Sequence, residues 1–377
     1  MKTVYTIALA VVVIVIIIGS VFAYIFLTST TTINGAGGTL IYPLMSKWQS
    51  VYKGVESNVT VTYDPVGSGQ GITSFTDQVV NFGESDAPMT AAQYAALPSG
   101  TTALTIPISA SAVVPAYHLK LANGSICRNG LNFTGKVLAN IFLGNVTKWN
   151  DPQIQTLNPK VSLPDETITT IHRSDGSGTM FAFTDFLSEA SPTWNTTVGK
   201  HTNPTWPNTP SEKAAPHNSG VADDIAEFND SIGPLEIAYI LGNTTQTSLY
   251  YGTVQNAAGS FILANVTNIA AALQAGASPG LPAGNAEWTN VSMIDNIYKD
   301  AAATDIYPVV TLTYALVYEQ QSSHSQGAAL VNFISWVVNH GQTYGQALGY
   351  AALPANIVAV DNATIKLITY HGTPIQG

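Results

Sequence analysis

His172-Arg173-Ser174-Asp175-Gly176-Ser177-Gly178-Thr179 follows a short β-prone run at residues 167–171 and leads into an aromatic, amphipathic run at 180–187. The order is strand, tight glycine turn, helix start. Glycine lets a backbone approach another group closely. Ser177 and Thr179 add hydroxyls, and the first turn of a helix carries unpaired N–H groups that favour anions. Arg173 stands two residues before Asp175, close enough to be oriented by it. The stretch reads as an oxyanion site on an α/β scaffold.

The same rhythm recurs upstream. Asn34-Gly35-Ala36-Gly37-Gly38-Thr39 precedes a helical run at 40–52, where Leu40, Leu44, Trp48 and Tyr52 share a face. Residues 59–63 alternate as a strand; Pro65-Val66-Gly67-Ser68-Gly69-Gln70-Gly71 then leads to a helix from Ile72. Residues 79–83 read as a short strand ending at Glu84-Ser85-Asp86-Ala87-Pro88. Strand, glycine turn and helix in series are the βαβ organisation of an α/β protein. Two long apolar, β-branched runs, 105–117 and 306–318, predict a chain that leaves one domain, builds a second and returns. Residues 195–219, rich in Pro, Asn and Thr, read as surface loop. Asp223, Asp224 and Glu227 read as a solvated helix start with Val221, Ile225 and Phe228 on its buried face, and 328–338 as an amphipathic helix.

Composition narrows the function. The chain has 377 residues, of which 10% are charged, and a net charge of −10. That balance argues against nucleic acid, which requires a basic footprint. The single cysteine, Cys127, leaves no intrachain disulfide and no cysteine metal cluster. The seven histidines show no H-x-x-x-H pairing, so neither zinc nor another metal has support. Met1-Lys2 precedes an uncharged, mostly aliphatic run at 4–27. As a helix it would span roughly 36 Å, enough for a ~30 Å hydrocarbon core. Lys2 places the short N-terminal side in the cytoplasm and the body outside. A cleaved signal peptide ending near Val21-Phe22-Ala23 is the alternative; the length of the apolar run favours a retained transmembrane anchor. Export also fits the N-x-[ST] sequons at Asn58, Asn123, Asn132, Asn145, Asn195, Asn229, Asn243, Asn265, Asn290 and Asn362, which suit a glycosylated extracellular protein.

Enzyme motifs fail one by one. Gly35-x-Gly37 lacks the third glycine of a dinucleotide fingerprint, and no G-x-x-x-x-G-K-[ST] phosphate loop occurs. Gly67-Ser68-Gly69 and Gly176-Ser177-Gly178 are not the G-x-S-x-G elbow of hydrolases. A Ser–His–Asp set assembled from distant residues stays open, as does Asp175 as a catalytic acid rather than the partner of Arg173. What remains is three glycine-hydroxyl turns at helix starts, one carboxylate (Asp86) at a strand end and one arginine.

These elements together resemble a family. Gly35-Ala36-Gly37-Gly38-Thr39 with Pro43 and Lys47-Trp48, Gly67-Ser68-Gly69-Gln70-Gly71, and Asn81-Phe82-Gly83-Glu84-Ser85-Asp86-Ala87-Pro88 carry the first half. Ile141-Phe142-Leu143-Gly144 leading to Lys148-Trp149, the Arg173–Thr179 stretch and Leu348-Gly349-Tyr350-Ala351-Ala352-Leu353-Pro354 carry the rest. The body resembles the extracytoplasmic phosphate-binding proteins of phosphate ABC transporters over nearly its whole length. The resemblance implies an α/β, two-domain periplasmic-binding-protein-like fold (type II) with crossing strands and a ligand cleft. Residues 1–32 would be the N-terminal transmembrane anchor or signal segment with its linker, 33–108 plus 310–377 domain 1, and 109–309 domain 2.

It also implies a solute receptor rather than an enzyme, without a cofactor, that takes inorganic phosphate and passes it to a membrane permease. Thr39 and Leu40 would donate from one side with Ser68. Asp86 would accept the hydrogen of a protonated phosphate oxygen. Arg173 would pair with the phosphate, aimed by Asp175, while Ser177, Gly178 and Thr179 close the other side. The chain departs from the family at Leu40, where an aromatic is usual, and at His217-Asn218-Ser219-Gly220 and Ile232-Gly233-Pro234, which touches the cleft rim. The alternatives are a receptor for another oxyanion (molybdate, tungstate or sulfate) and a secreted phosphatase or other hydrolase on the same scaffold. Asp86 disfavours sulfate, which has no hydrogen to offer it.

Overall fold

The computed structural model of the chain describes residues 30–242, 248–278 and 280–376. The predicted N-terminal membrane segment and the sequon at Asn243 lie outside the described residues. Among the described residues no helix is long and apolar enough to cross a membrane.

Twelve strands build the two larger sheets: β1 (Thr31–Ala36), β2 (Val59–Asp64), β3 (Phe82–Ser85), β4 (Ala103–His118), β5 (Asn132–Phe133), β6 (Thr169–Arg173), β7 (Glu212–Ala215), β8 (Ser231–Glu236), β9 (Tyr250–Tyr251), β10 (Thr253–Gln255), β11 (Phe261–Ile262) and β12 (Val310–Tyr318). One nine-stranded sheet runs β2-β1-β3-β12-β4-β8-β6-β7, with β9 also against β4; β11-β10-β5 form a small second sheet. β1 pairs in parallel with β2 and β3, and β6 in parallel with β7 and β8. Between these two parallel groups run β4 and β12, antiparallel to each other. They are the two predicted crossing runs. Every residue of both is buried, which is why they read as continuous apolar stretches rather than alternating ones. At about 3.3 Å per residue, β4 reaches roughly 50 Å and joins both groups.

β4 carries two prolines in its buried interior. The register slips beside the first: Thr313 pairs Ser109 but Tyr314 pairs Pro107, leaving Ile108 as the extra residue of a bulge. Proline has no N–H to give, and a bulge is where a ladder can go without one. Pro115 faces Pro234 of β8, so two residues without N–H groups sit opposite each other. The core is anchored by Trp48, Trp149, Trp194 and Trp288, all fully buried. Each indole N–H has a backbone carbonyl partner, at Gly341, Asp230, Gly199 and Ala283 respectively, which removes the cost of burying it.

Several element boundaries differ from the sequence reading. The helix expected over 40–52 spans Tyr42–Val55 and buries Leu44, Trp48 and Tyr52, with Pro43 in its first turn. The helix expected from Ile72 starts at Ser68, because Gly67 makes the turn with φ +90°. The short strand at 79–83 shifts to β3; Val79 is exposed, and the chain turns through Gln78 at φ 56° before it enters the sheet. The loop expected over 195–219 is corrected in part. It contains the end of helix Pro192–Thr197, edge strand β7 and the start of helix His217–Glu227. Polar composition hid β7, whose pattern is mostly exposed. Asp223, Asp224 and Glu227 lie in the second half of that helix, not at its start; Val221 and Ile225 do face the core, while Phe228 falls just past the helix end and is half-buried. The helix expected over 328–338 spans His324–Asn339.

Among the sequons, Asn58, Asn123, Asn145, Asn195, Asn229, Asn265 and Asn290 are exposed. The side-chain N–H groups of Asn132 and Asn362 donate to internal acceptors.

Candidate anion-binding site

Every predicted site residue sits at the carboxyl end of a parallel strand or at the helix start after it. β1 delivers Thr39 and Leu40, β2 delivers Ser68, and β3 delivers Asp86. β6 ends on Arg173 and continues into Ser177, Gly178 and Thr179. Open α/β sheets bind ligands at these ends, where glycine turns and helix N-termini converge. All eight predicted ligand-binding residues are brought together and buried: Thr39 and Arg173 are 3% and 2% exposed, and Leu40, Ser68, Asp86, Ser177, Gly178 and Thr179 are likewise enclosed.

Arg173 is the pivot. Its Nε donates to Asp175 Oδ1 at 2.7 Å and its Nη2 pairs with Asp175 Oδ2. Its Nη1 donates across to Thr39 Oγ1 at 3.0 Å and to Ser177 Oγ at 2.9 Å. Burial alone would raise the Asp175 carboxyl, but the guanidinium overcomes it and holds the group below the usual carboxylate range. Asp175 also accepts from the His217 N–H at 3.1 Å. The predicted aiming role therefore has its geometry: a two-point clasp on the guanidinium, which fixes a planar fork.

The two halves meet through small groups. The Gly178 N–H donates to Ser68 Oγ at 3.2 Å, and the Gly69 N–H to the Gly176 carbonyl at 3.1 Å. A Cβ at Gly178 would lie 2.3 Å from Asp86 Cβ, so only glycine lets helix Gly178–Ala190 approach β3 this closely. Ser177 caps that helix, accepting from the Met180 N–H at 3.3 Å.

Asp86 is the buried acceptor. Thr313 Oγ1 donates to its Oδ1 at 2.7 Å, Ser68 Oγ lies 3.2 Å from its Oδ2, and Thr311 Oγ1 donates to its backbone carbonyl at 2.9 Å. Burial pushes its carboxyl up to about 6, against the pull of the Thr313, Glu84 and Ser68 hydrogen bonds and the Arg173 charge. A buried carboxylate among donors, beside one guanidinium, can hold an oxyanion that brings its own hydrogen. No cluster of side chains able to hold a metal occurs among the described residues.

Four further groups escaped the sequence reading. Thr313 belongs to crossing strand β12, where Thr311 and Thr313 share one face of an otherwise apolar run; that period-2 pair is its signal. Asn218 lies in the tetrapeptide flagged as a family departure at the rim, yet it is fully buried inside the site. Its N–H donates to Thr39 Oγ1 and its Nδ2 to Thr179 Oγ1, each at 3.1 Å. Tyr239 donates to the Thr39 carbonyl at 2.6 Å. Glu84, fully buried beside Asp86, lies with its Oε2 2.6 Å from Tyr63 Oη.

Known proteins resemble this chain in sequence and fold. A family model described as a PBP superfamily domain matches residues 27–340. The phosphate-binding protein PstS of Xylella fastidiosa (strain Temecula1 / ATCC 700964) is 34% identical over 331 residues, covering 88% of this chain and 84% of that one. PstS of Pasteurella multocida (strain Pm70) is 33% identical over 88% of this chain and 89% of its own length. Among solved structures, a phosphate-binding protein from Stenotrophomonas maltophilia superposes with a TM-score of 0.65 at 16% identity, covering 92% of this chain and 96% of that one. At that identity the likeness concerns the fold.

Proposed function

The chain belongs to the PstS phosphate-binding protein family within the PBP superfamily, and from that membership we propose that it captures inorganic phosphate outside the cell and delivers it to the membrane permease of an ABC transporter. It is a solute receptor rather than an enzyme. Thr39, Leu40, Ser68, Arg173, Ser177, Gly178 and Thr179 supply the donors, Asp86 accepts, and Asp175 aims Arg173. Residues 33–108 with 310–377 form one domain and 109–309 the other, and ligand binding closes them through β4 and β12. The segment at 4–27 tethers the body to the outer face of the membrane, and glycans occupy exposed sequons.

One observation carries the choice of phosphate: Asp86, 1% exposed, is an acceptor among donors. Phosphate near neutral pH keeps a hydrogen to give a carboxylate. Sulfate has none, so its oxygen would meet Asp86 lone pair to lone pair in a poorly solvated site. Equilibrium dialysis of labelled phosphate against excess sulfate tests this. Sulfate is expected to leave bound phosphate in place; equal competition would overturn the phosphate reading.

A further inference from the structure

The site holds one more acid than oxyanion capture requires. Glu84 and Asp86 are 0% and 1% exposed. A Cβ at Gly38 would lie 2.7 Å from Glu84 Oε2 and 2.4 Å from Asp86 Oδ2. Glycine at position 38 therefore makes room for the pair. Two carboxylates this close, beside one guanidinium already clasped by Asp175, do not both ionise; one keeps a proton. The hydrogen bonds say which. Asp86 has Thr313 and Ser68 hydroxyls to stabilise a negative charge. Glu84 Oε1 is buried without a partner. Tyr63 Oη lies 2.6 Å from Glu84 Oε2 and 2.8 Å from the Gly38 carbonyl oxygen. The phenol has one hydrogen and the carbonyl can only accept. Both contacts are satisfied when Tyr63 donates to Gly38 and Glu84 donates to Tyr63. The charge then rests on Asp86 and the proton on Glu84.

Building on the phosphate reading above, we propose that Glu84 is a specificity-determining residue of the site, a neutral acid whose ionisation sets the alkaline limit of phosphate capture. Around the pair stand Tyr63 from β2, Arg173 from β6, Glu236 from β8, Tyr314 from β12, and Tyr239 and Tyr350 from the segments over Thr39 and Leu40. Arg173 is the one cation among them. Burial and the neighbouring Asp86 charge hold the Glu84 carboxyl well above its usual range. While neutral, Glu84 adds no charge beside a phosphate anion. Once ionised, it places a second carboxylate next to the ligand, and affinity falls. By linkage, phosphate bound under alkaline conditions draws a proton back onto Glu84.

The test compares the wild-type chain with Glu84→Gln, which keeps the shape and neutrality of the acid. Phosphate binding is followed by titration calorimetry over the alkaline range in which phosphate keeps its single hydrogen, above its near-neutral ionisation and short of its last one, in two buffers of different ionisation heat. Wild-type affinity is expected to fall roughly tenfold or more, with proton uptake on binding, while Glu84→Gln stays flat and takes up none. Parallel decline of both proteins overturns the proposal. A second readout needs no ligand: the infrared difference at neutral pH, wild type minus variant, is expected to show an un-ionised carboxyl. The other buried acids, Glu236 and Asp361, cancel in that difference. A carboxylate signal there overturns the proposal. If the variant does not fold, absence of alkaline proton uptake by the wild type overturns it. Failure of both proteins to bind phosphate at any pH refutes the receptor reading instead, and the infrared result still decides the state of Glu84.

Discussion

At the scale of single residues, the proposed selectivity turns on Asp86. Replacing it by Asn keeps the size and removes the charge. The amide can offer an N–H to a fully ionised oxyanion, so Asp86→Asn is expected to admit sulfate. It also loses a charge-assisted hydrogen bond worth ~1.5–3 kcal/mol, or about 10–100-fold in phosphate affinity. Competition dialysis checks both, and unchanged selectivity would refute the acceptor role. The same residue predicts an acid limit. Burial raises its carboxyl to about 6, so as pH falls through that value Asp86 gains a proton and becomes a donor. Sulfate competition in the wild-type protein is therefore expected to grow below about pH 6 and to be absent at neutral pH. Asp175 behaves in the opposite sense. Its carboxyl lies below the usual range because of Arg173, so its clasp contributes fully above the ordinary carboxylate range. The clasp is lost only as pH falls through that depressed value, which makes Asp86 the first of the two to fail on acidification.

At the scale of elements, crossing strand β12 orients the acceptor. Thr313 pairs Ser109 at the register slip and donates to Asp86 Oδ1 at 2.7 Å. Thr313→Val is nearly isosteric but loses that donor. The acid onset of sulfate competition is expected to move up by roughly one pH unit; an unmoved onset would show that Ser68 alone positions the carboxylate. This contact also marks what could and could not be read in advance. Glycine-hydroxyl turns are contiguous, so Thr39, Ser68 and the Arg173–Thr179 stretch were legible, as were the two crossing strands from their apolar length. Thr313 is 227 residues from Asp86, and Asn218 is 179 residues from Thr39. Such contacts are made by the fold; the period-2 threonines of β12 mark the strand's polar face but not the residue it meets. Glu84 was in plain view two residues before Asp86, but its meaning depends on the space left by Gly38. The loop expected at 195–219 failed for the converse reason. β7 is an edge strand with a mostly exposed face, and an exposed edge lacks the apolar signal that marks a buried strand.

At the scale of the whole molecule, the two parallel groups of the sheet meet across glycines. A Cβ at Gly178 would stand 2.3 Å from Asp86 Cβ, against carbon that has no free torsion to escape by. The clash lies between the β3 end and the helix that follows β6, not within either half. Gly178→Ala is therefore expected to leave thermal stability close to wild type while phosphate affinity drops by at least about tenfold, because one lost closing contact of ~1.4 kcal/mol already gives that factor. Solution scattering distinguishes the cause: the wild type should contract on saturating phosphate and the variant should not. Wild-type affinity in Gly178→Ala would mean that the arrangement seen here is not the ligand-holding one. The net charge of −10 adds a kinetic consequence. An anionic body repels an anionic ligand at long range, and salt screens that repulsion beyond about 8–10 Å. The short-range pairing with Arg173, 2% exposed, is screened far less. Raising ionic strength from low to physiological should therefore speed phosphate association while leaving dissociation nearly unchanged. Stopped-flow measurement that found association slowed by salt would instead place a basic funnel at the cleft mouth, which the charge of the chain does not support.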